Sequence, residues 1–268
     1  MRGNLRDKVA IVTGASSGIG RATALKLAQE GAHLSLAARR VELLEQVAHE
    51  IRDMGREALV VPTDVTERHE VQELLERTLA RWGCVDLLIA NAGAYVRSPV
   101  QELTVEAIER SMTVNFYGVV YAVLAVLPQM LAQGSGHIVL VCSVDGRKGL
   151  PLDTPYVAAK FAMRGFGDVL RQELHSTGVG VSIIYPPRVD TPLIESLQVP
   201  WVSPKMDPER VAEAIVRAIR RQRAEVIIGL PSRLLDLLAV LAPRWADWVV
   251  RVLDLQGRET VLETSDKT

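Results

Sequence analysis

Three side chains in the second half of the chain have the types and spacing needed for acid/base chemistry: Ser143, Tyr156 and Lys160. Tyr156 and Lys160 are separated by one helical turn, so an ammonium group can lie beside a phenol. An unperturbed tyrosine titrates near pH ~10, and an adjacent cation is expected to lower its pKa toward neutrality. We therefore predict Tyr156 to be a general acid/base for an alcohol or a developing alkoxide. Alone, this short pattern is more often a solvated helix face, so it needs support from the surrounding elements.

Length and composition indicate one large α/β domain. The chain has 268 residues, of which 48% are hydrophobic and 4% aromatic, enough to bury a full core. Its net charge is −1 and its basic cluster at 217–223 is short. We assign that cluster to helix C-terminal charges and expect no nucleic-acid partner. The first eight residues lack an apolar stretch, and Cys84 and Cys142 lack metal-ligand spacing, so we expect a cytoplasmic protein without a signal peptide, disulfide framework or zinc site.

Short apolar runs alternate with helical patterns along the chain. The predicted strands are 9–12, 34–38, 58–61, 86–90, 137–142, 180–185 and 225–228, and the predicted helices are 18–30, 41–54, 68–82, 104–131, 155–176 and 209–221. Strands rich in Val, Ile and Leu that are joined by helices predict a parallel sheet covered on both faces. We infer a doubly wound Rossmann-type sheet of about seven strands within residues 1–230.

The turn after the first strand reads TGASSGIG at 13–20. Glycines such as Gly14 and Gly18 permit positive φ and a close approach of the backbone to a phosphate. The following helix N-terminus offers free N–H groups and a positive dipole. We expect a pyrophosphate here, with Ser16, Ser17 and Ile19 as further contacts. A tight turn that serves packing alone is the alternative.

Together, the motifs resemble those of the short-chain dehydrogenase/reductase family, in its compact single-domain branch, along essentially the whole chain. They are TGASSGIG at 13–20, DVT at 64–66, NAG at 91–93, Asn115, Ser143, and YxxxK at 156–160. Each motif alone is weak. Their occurrence in this order on these elements is very specific.

The resemblance implies a role for each catalytic residue. Tyr156 would be the general acid/base, Lys160 would lower its pKa and bind the nicotinamide ribose, and Ser143 would donate to the substrate oxygen. Asn115 would hold a water that links Lys160 to solvent. A helix-interior asparagine bonded to backbone is the alternative.

The resemblance also implies cofactor contacts at two further strand ends. Asp64 would receive the adenine amino group, with Val65 against the ring, although an ordinary turn aspartate is the alternative. Asn91, Ala92 and Gly93 follow a strand at its carboxyl end, where ligands bind in such sheets.

The end of the second strand indicates the cofactor. An NAD site usually places Asp or Glu there, whereas the 2′-phosphate of NADP needs a cation. Residues 37–40 are Ala-Ala-Arg-Arg, and no carboxylate occurs before Glu42. Arg39 resembles the cation of NADP-selective members, with Ser16 and Arg40 as further donors. We therefore expect NADP(H), and a solvated arginine pair is the alternative.

Residues 185–192 read YPPRVDTP, where the family usually has Pro-Gly followed by Val and Thr. Val189 and Thr191 match and would border the nicotinamide, whereas Pro187 replaces the glycine and requires an extended loop. The double proline and the KFA at 160–162 also loosely resemble the 3-ketosphinganine reductases. The family carries its substrate lid near 191–205, which is apolar here through Leu193, Ile194, Leu197, Val199 and Trp201.

Residues 231–268 are predicted to form an amphipathic extension rather than an independent domain. Charged residues interrupt any run of about 20 apolar residues, so the extension cannot span a bilayer. Its arginines and aspartates balance, so we expect little attraction to anionic lipid. Packing on its own domain or on a partner subunit is favoured over peripheral membrane contact.

These residues predict an NADP(H)-dependent oxidoreductase that interconverts a ketone and a secondary alcohol on a small-molecule hydrophobic substrate. The lid and the extension cluster no cations for a carboxylate, phosphate or CoA group, although an isolated Arg188 is present. A non-catalytic NADP-binding scaffold or sensor is the alternative, but it would be expected to lack a catalytic residue. An epimerase or dehydratase of the longer branch is disfavoured by the glycine spacing.

A homodimer or homotetramer is also expected. Family members often associate through the helix at 155–176. Here this helix carries small residues that permit close contact: Ala158, Ala159, Ala162 and Gly165.

Overall fold

The computed structural model describes residues 4–259. The strands are β1 (Val9–Thr13), β2 (His33–Ala38), β3 (Ala58–Pro62), β4 (Leu87–Ala90), β5 (Gly136–Val141), β6 (Val179–Tyr185), β7 (Leu197–Gln198), β8 (Glu225–Ile227) and β9 (Arg258–Glu259). The helices are α1 (Gly18–Gln29), α2 (Val41–Asp53), α3 (Arg68–Trp82), α4 (Val105–Met112), α5 (Gly118–Gln133), α6 (Thr154–Glu173), α7 (Pro208–Arg221), α8 (Leu230–Leu241) and α9 (Pro243–Val252).

Seven strands form one sheet in the order β3-β2-β1-β4-β5-β6-β8, and every pair is parallel. The predicted doubly wound sheet of about seven strands is therefore confirmed. The strand order reverses between β1 and β4, where Val12 pairs with Leu36 on one side and Ile89 on the other. In such sheets the crevice at the carboxyl ends of these two strands is the ligand site.

Successive strand residues point to opposite faces, and each face has its own buried core. Val12 belongs to the core layer that contains Leu27 of α1, Leu44 of α2 and Ile215 of α7. Ile11 belongs to the layer that contains residues of α3, α5 and α6: Leu74, Val123 and Met163. Two covered faces explain why the strands read as continuous apolar runs.

The predicted helix 104–131 is two helices separated by a π-helical turn, Thr113–Tyr117. Such turns occur often at functional sites. The stretch 105–133 also has the length and composition of one membrane span. However, Val119, Val123, Val126 and Met130 are buried in the core between this stretch and the sheet, which identifies it as a core helix.

The extension forms the two helices α8 and α9, followed by β9, which pairs antiparallel with β7. The last strand described is therefore joined to the segment predicted as the lid. Residues 260–268 of the predicted extension lie outside the described residues.

Candidate active site

A groove of about 440 Å³ lies at the carboxyl ends of β1, β2, β3 and β4. All but one of the predicted cofactor residues line it: Gly14, Ser16, Ser17, Gly18, Ile19, Arg39, Arg40, Asp64, Val65, Asn91, Ala92, Gly93, Tyr156, Lys160 and Thr191. The remaining predicted cofactor residue, Val189, lines the adjoining cavity instead. The structure thus brings residues from four strand ends to one elongated groove.

The glycine-rich turn has no room for side chains. Gly14 has φ +67°, and a Cβ there would lie 2.8 Å from the side-chain amide nitrogen of Asn91. A Cβ on Gly20 would lie 2.1 Å from the carbonyl oxygen of Gly14. These glycines keep the backbone N–H groups at the start of α1 close to the groove, as a bound pyrophosphate requires. The turn therefore fits the dinucleotide that the motif predicts.

Asn91 fixes the two central strand ends to each other. Its backbone N–H donates to the hydroxyl of Thr13 at 3.0 Å, and its side-chain amide donates to the carbonyl of Thr13 at 3.0 Å. The same hydroxyl accepts from the N–H of Ala92 at 3.1 Å. This network holds the floor of the groove rigid.

Two arginines lie at the end of β2, as the sequence predicts. The Nη2 of Arg40 donates to the hydroxyls of Ser16 and Ser17 at 3.1 and 2.8 Å. Arg39 is 79% exposed, with its Nη1 3.7 Å from a carboxylate oxygen of Asp64. Both cations therefore border the glycine-rich turn, where the 2′-phosphate of NADP would lie.

Asp64 also acts as an ordinary turn aspartate, which was the alternative to adenine recognition. Its Oδ1 accepts from the N–H and the hydroxyl of Thr66 at 3.0 and 2.8 Å, which is an Asx-type turn. Its recognition of adenine remains a prediction.

Ser143 lies just after the end of β5, while Tyr156 and Lys160 lie in the first two turns of α6. All three are buried. The Nζ of Lys160 donates to the carbonyl of Val141 at 3.2 Å and lies 5.4 Å from the centroid of the Tyr156 ring. The segment after the carboxyl end of β5 and the start of α6 thus bring the three predicted catalytic residues together.

The pKa of Tyr156 is not near neutrality in this structure, and its lowering by Lys160 stays a prediction. Burial, followed by the carboxyl of Asp145, raises the pKa of Tyr156 well above its ordinary value, although a hydrogen bond with Ser143 acts in the opposite direction. Burial also lowers the pKa of Lys160. Because the ammonium bonds to Val141 instead of the phenol, it does not offset the loss of hydration. Tyr156 therefore carries its proton at neutral pH.

Asn115 lies fully buried in the π-helical turn. Its amide nitrogen donates to the carbonyls of Ala94 and Ser111 at 2.8 and 3.1 Å, and its oxygen accepts from the N–H of Ala94 at 3.1 Å. A helix-interior asparagine bonded to backbone was the alternative to a water-holding role, and these bonds match it. They also tie the π-helical turn to the segment after β4. The water beside Lys160 remains a prediction.

Sequence reasoning missed a buried acid beside the catalytic residues. Asp145 accepts a hydrogen bond from the Ser143 hydroxyl at 3.1 Å, and its other oxygen, Oδ1, is buried without a partner among the described residues. Burial, then the nearby Asp153, raises the pKa of Asp145 to about 7. The signal was present in the sequence, because a carboxylate two residues after a catalytic serine must be close to it.

A second missed cluster is centred on Asp153, which is fully buried. It accepts hydrogen bonds from Arg97 Nε and the hydroxyl of Tyr95, both at 2.8 Å. The ring of Tyr95 meets that of Tyr156 edge to face, with centroids 5.1 Å apart. Arg97 also donates to the carbonyl of Gln256 at 3.0 Å. Residues far apart in the chain therefore support the catalytic tyrosine.

A cavity of about 70 Å³ adjoins Ser143 and Tyr156 on the side away from the groove. Ile194 and Leu197 of the predicted lid line it and are buried. Trp201, also expected in the lid, is 91% exposed and does not line this cavity, so its place in the lid stays a prediction. Arg188 also lines this cavity, and its Nη2 donates to the carbonyl of Leu255.

Comparison with known proteins shows the family. The family model described as short chain dehydrogenase matches residues 8–199. The chain belongs to the short-chain dehydrogenase family. An uncharacterized oxidoreductase of Listeria monocytogenes is 43% identical over 195 residues, which are 72% of this chain and 79% of that protein. A fatty acyl-CoA reductase of Acinetobacter baylyi is 35% identical over 244 residues, 90% of this chain and 82% of that protein.

A solved structure agrees with this assignment. A single-residue variant of the actinorhodin polyketide ketoreductase, with NADPH, has a TM-score of 0.77 and 30% identity, covering 85% of this chain and 97% of that one. As a short-chain dehydrogenase, the protein is an oxidoreductase that binds a nicotinamide dinucleotide. The looser resemblance to 3-ketosphinganine reductases remains a prediction.

Proposed function

We propose that this short-chain dehydrogenase reduces a ketone on a hydrophobic substrate to a secondary alcohol with NADPH, and that the reaction is reversible. The observation that carries the proposal is the placement of Ser143, Tyr156 and Lys160 between the nucleotide groove and the lid cavity. A carbonyl placed there would meet a hydroxyl pair on one side and the cofactor groove on the other. Bound NADPH supplies the hydride in this reaction class.

NADP(H) is preferred over NAD(H) in this proposal because of charge. Arg39 and Arg40 border the glycine-rich turn, and among the groove-lining residues the carboxylate near them is Asp64, at the end of the next strand. A dianionic 2′-phosphate is favoured by two cations, whereas a ribose 2′-OH is usually bound by an acid at this position.

The protein supplies a proton donor and an oxyanion donor. Tyr156 holds its proton at neutral pH because burial raises its pKa. An alkoxide is a stronger base than a phenolate, so the proton still moves from Tyr156 to the developing alcohol. Ser143 donates to the same oxygen when its hydroxyl turns away from Asp145. Lys160, buried beside the ring, orients the nicotinamide ribose.

The substrate is proposed to be lipophilic. Leu193, Ile194 and Leu197 line the outer wall of the lid cavity. The Acinetobacter relative is named a fatty acyl-CoA reductase, and the fatty acyl part of that name supports a lipophilic substrate here. At about 70 Å³ the cavity is too small for a medium or long chain, so the lid must open to admit one.

We further propose a cytoplasmic homo-oligomer that associates through α5 and α6. Ala158, Phe161, Gly165 and Val169 form an exposed stripe along α6, and Leu124 is exposed on α5. Ala159, expected on this stripe, is buried instead. Family members often associate through this helix.

The test is NADPH oxidation with methyl ketones and 3-keto esters of increasing chain length. We expect kcat/KM to rise by up to about fourfold for each added methylene until the pocket is full, since burial contributes about 0.8 kcal/mol per CH₂. A flat or falling series would reject the lipophilic pocket. Tight NADPH binding without turnover on any ketone or aldehyde would instead support a scaffold or sensor.

A further inference from the structure

The helices α8 and α9 turn their apolar side away from the protein. Seven large residues recur every three or four positions along this side, and each is at least half exposed: Leu230, Leu234, Leu237, Leu241, Trp245, Trp248 and Val252. We call this surface the apolar face. These side chains therefore do not pack on their own domain, although Ala246 and Val250 of the same extension do, and packing on a partner subunit stays a prediction. Exposed apolar surface on this scale marks an interaction site.

The opposite side attaches to the domain through its carboxylates. Asp236 forms a bidentate pair with Arg147 at 2.7 and 2.8 Å, and Arg147 also binds Glu225 at 2.9 Å. Asp247 binds Lys148. Of the three acids that appeared to balance the charge of the extension, Asp236 and Asp247 are thus paired with basic residues of the domain, and Asp254 is paired with Arg258. The charge of Asp236 is mostly buried, whereas Asp247 is about half exposed beside Lys148.

Cations remain beside the apolar face. A groove of about 630 Å³ is lined by four arginines of α7, the following turn and α8: Arg217, Arg221, Arg223 and Arg233. Its acid, Glu225, is bound to Arg147, and one of the four arginines, Arg217, is paired with Glu213 at 3.7 Å. Gly229 and Arg233 also line the groove and are the chain neighbours of Leu230 and Leu234, so the groove adjoins the apolar face. Assigning the 217–223 cluster to helix charges alone was therefore incomplete.

Further arginines lie on α9. Arg244 and Arg251 are exposed, and within residues 4–259 neither has a carboxylate within salt-bridge distance. Aromatic and leucine side chains next to unmatched arginines are the composition of helices that lie in the headgroup region of a bilayer. The expectation of little attraction to anionic lipid came from counting charges without their partners.

We propose that the apolar face and the arginine groove dock the protein on an anionic phospholipid surface. The leucines and tryptophans enter the acyl boundary, and the arginines meet lipid phosphates. A second copy is a poorer occupant, because a two-fold interface would bring the arginine groups of both copies toward each other. The exposed stripe on α6 offers a separate surface for copies.

Docking here places the substrate cavity beside the membrane. Arg188 and Arg97 bind the carbonyls of Leu255 and Gln256, just after α9, and β9 pairs with β7 of the lid. A lipophilic ketone dissolved in the bilayer would then enter near the lid. This consequence depends on the proposed function, whereas the docking itself does not.

The test is flotation of the full chain with phosphatidylcholine vesicles and with vesicles that contain equal parts phosphatidylglycerol. It needs neither cofactor nor substrate, so its outcome is independent of catalysis. We expect flotation with the anionic vesicles and a blue shift of tryptophan fluorescence. Flotation that is equal with both vesicle types, or absent with both, would overturn the proposal.

Two pairs of substitutions separate the contribution of the apolar face to membrane binding from that of the arginines. Leu237→Ser with Trp245→Ser should weaken partitioning by at least about tenfold. Arg221→Gln with Arg233→Gln should weaken it about fivefold for each arginine. The matched controls are Val100→Ser with Val105→Ser and Arg68→Gln with Arg110→Gln, which alter exposed residues elsewhere. All variants should reduce a water-soluble ketone like the parent.

Two other results would reject membrane docking. If inorganic phosphate protects the arginine groove from a guanidine-specific reagent while vesicles bind nothing, the groove is a soluble-anion site. If Leu237→Ser with Trp245→Ser dissociates an oligomer in light scattering and the parent does not float, the apolar face is an interface between copies.

Discussion

The nucleotide groove and the substrate cavity meet at Tyr156, yet they are built in different ways. The groove is formed by short local motifs at strand ends, and its shape depends on backbone conformation at residues such as Gly14. The cavity depends on side chains paired across long stretches of chain. Arg97, which binds Asp153 behind Tyr95, reaches Gln256, 159 residues away, whereas the bond between Asn91 and Thr13 in the groove spans 78 residues. The local motifs and the long-range pairs are therefore separable, and each can be broken alone.

Tyr156→Phe should have the largest effect and should act on one region only. It removes the proposed proton donor and little contact area, so kcat should fall at least about a hundredfold. NADPH affinity, measured by fluorescence titration, should stay nearly unchanged. Tyr95→Phe is the matched control, because it also loses one buried hydroxyl but leaves the donor in place. Full activity of Tyr156→Phe would refute the mechanism.

Arg39→Asp should affect the other region. It places a negative charge where a 2′-phosphate is proposed, so the preference for NADPH over NADH in kcat/KM should fall about ten- to a hundredfold. Thermal stability should change little, since Arg39 is largely exposed. Arg221→Asp, on the surface away from the nucleotide groove, serves as the control. If the parent used NADPH and NADH with equal kcat/KM, the proposed binding of the 2′-phosphate by Arg39 would be refuted.

These two regions also differ in how far the sequence predicts them. The glycine turn, the Arg39–Arg40 pair and the Tyr156–Lys160 pair could be placed because each belongs to a motif fixed on one element. The direction in which the pKa of Tyr156 shifts could not be predicted, because it depends on burial and on Asp145, which only the folded chain reveals. The outward apolar face was also missed. Periodicity shows that a helix has two sides but not which side faces the domain, and that depends on the pairing of Asp236 with Arg147.

Asp236→Ala should loosen the extension without touching the groove. It leaves the mostly buried guanidinium of Arg147 with Glu225 and the ring of Tyr185, which should cost about 1 to 3 kcal/mol. For a chain of this size the Tm should fall about 2 to 4 °C per kcal/mol in calorimetry. Asp254→Ala removes a more exposed pair with Arg258 and should have little effect. An unchanged Tm in both variants would show that the pairing of Asp236 does not hold the extension.

Asp145→Asn should have the smallest effect, visible in pH dependence. The pKa of Asp145 is raised from its usual 3.8 to about 7, so the native state binds more protons than the unfolded state between these values. The contribution of this group to stability is therefore full below about pH 4, falls as pH rises toward 7, and is flat above. The variant should melt a few degrees above the parent at pH 8, and the difference should shrink at pH 5. A difference that does not depend on pH would contradict a titrating Asp145.

The pairing of β7 with β9 has a consequence for the order in which the two regions appear during synthesis. The residues of the glycine turn, the two arginines and the Asn91 network all leave the ribosome within roughly the first third of the chain. The lid gains its partner strand, and Arg97 and Arg188 gain their carbonyl acceptors, only when residues 255–259 have emerged. Because a domain generally folds as a unit, the early strand ends cannot form a complete nucleotide groove until Tyr156, Lys160 and Thr191 have also emerged. The substrate cavity, whose lid waits for residues 255–259, would then be the last part of the protein to close.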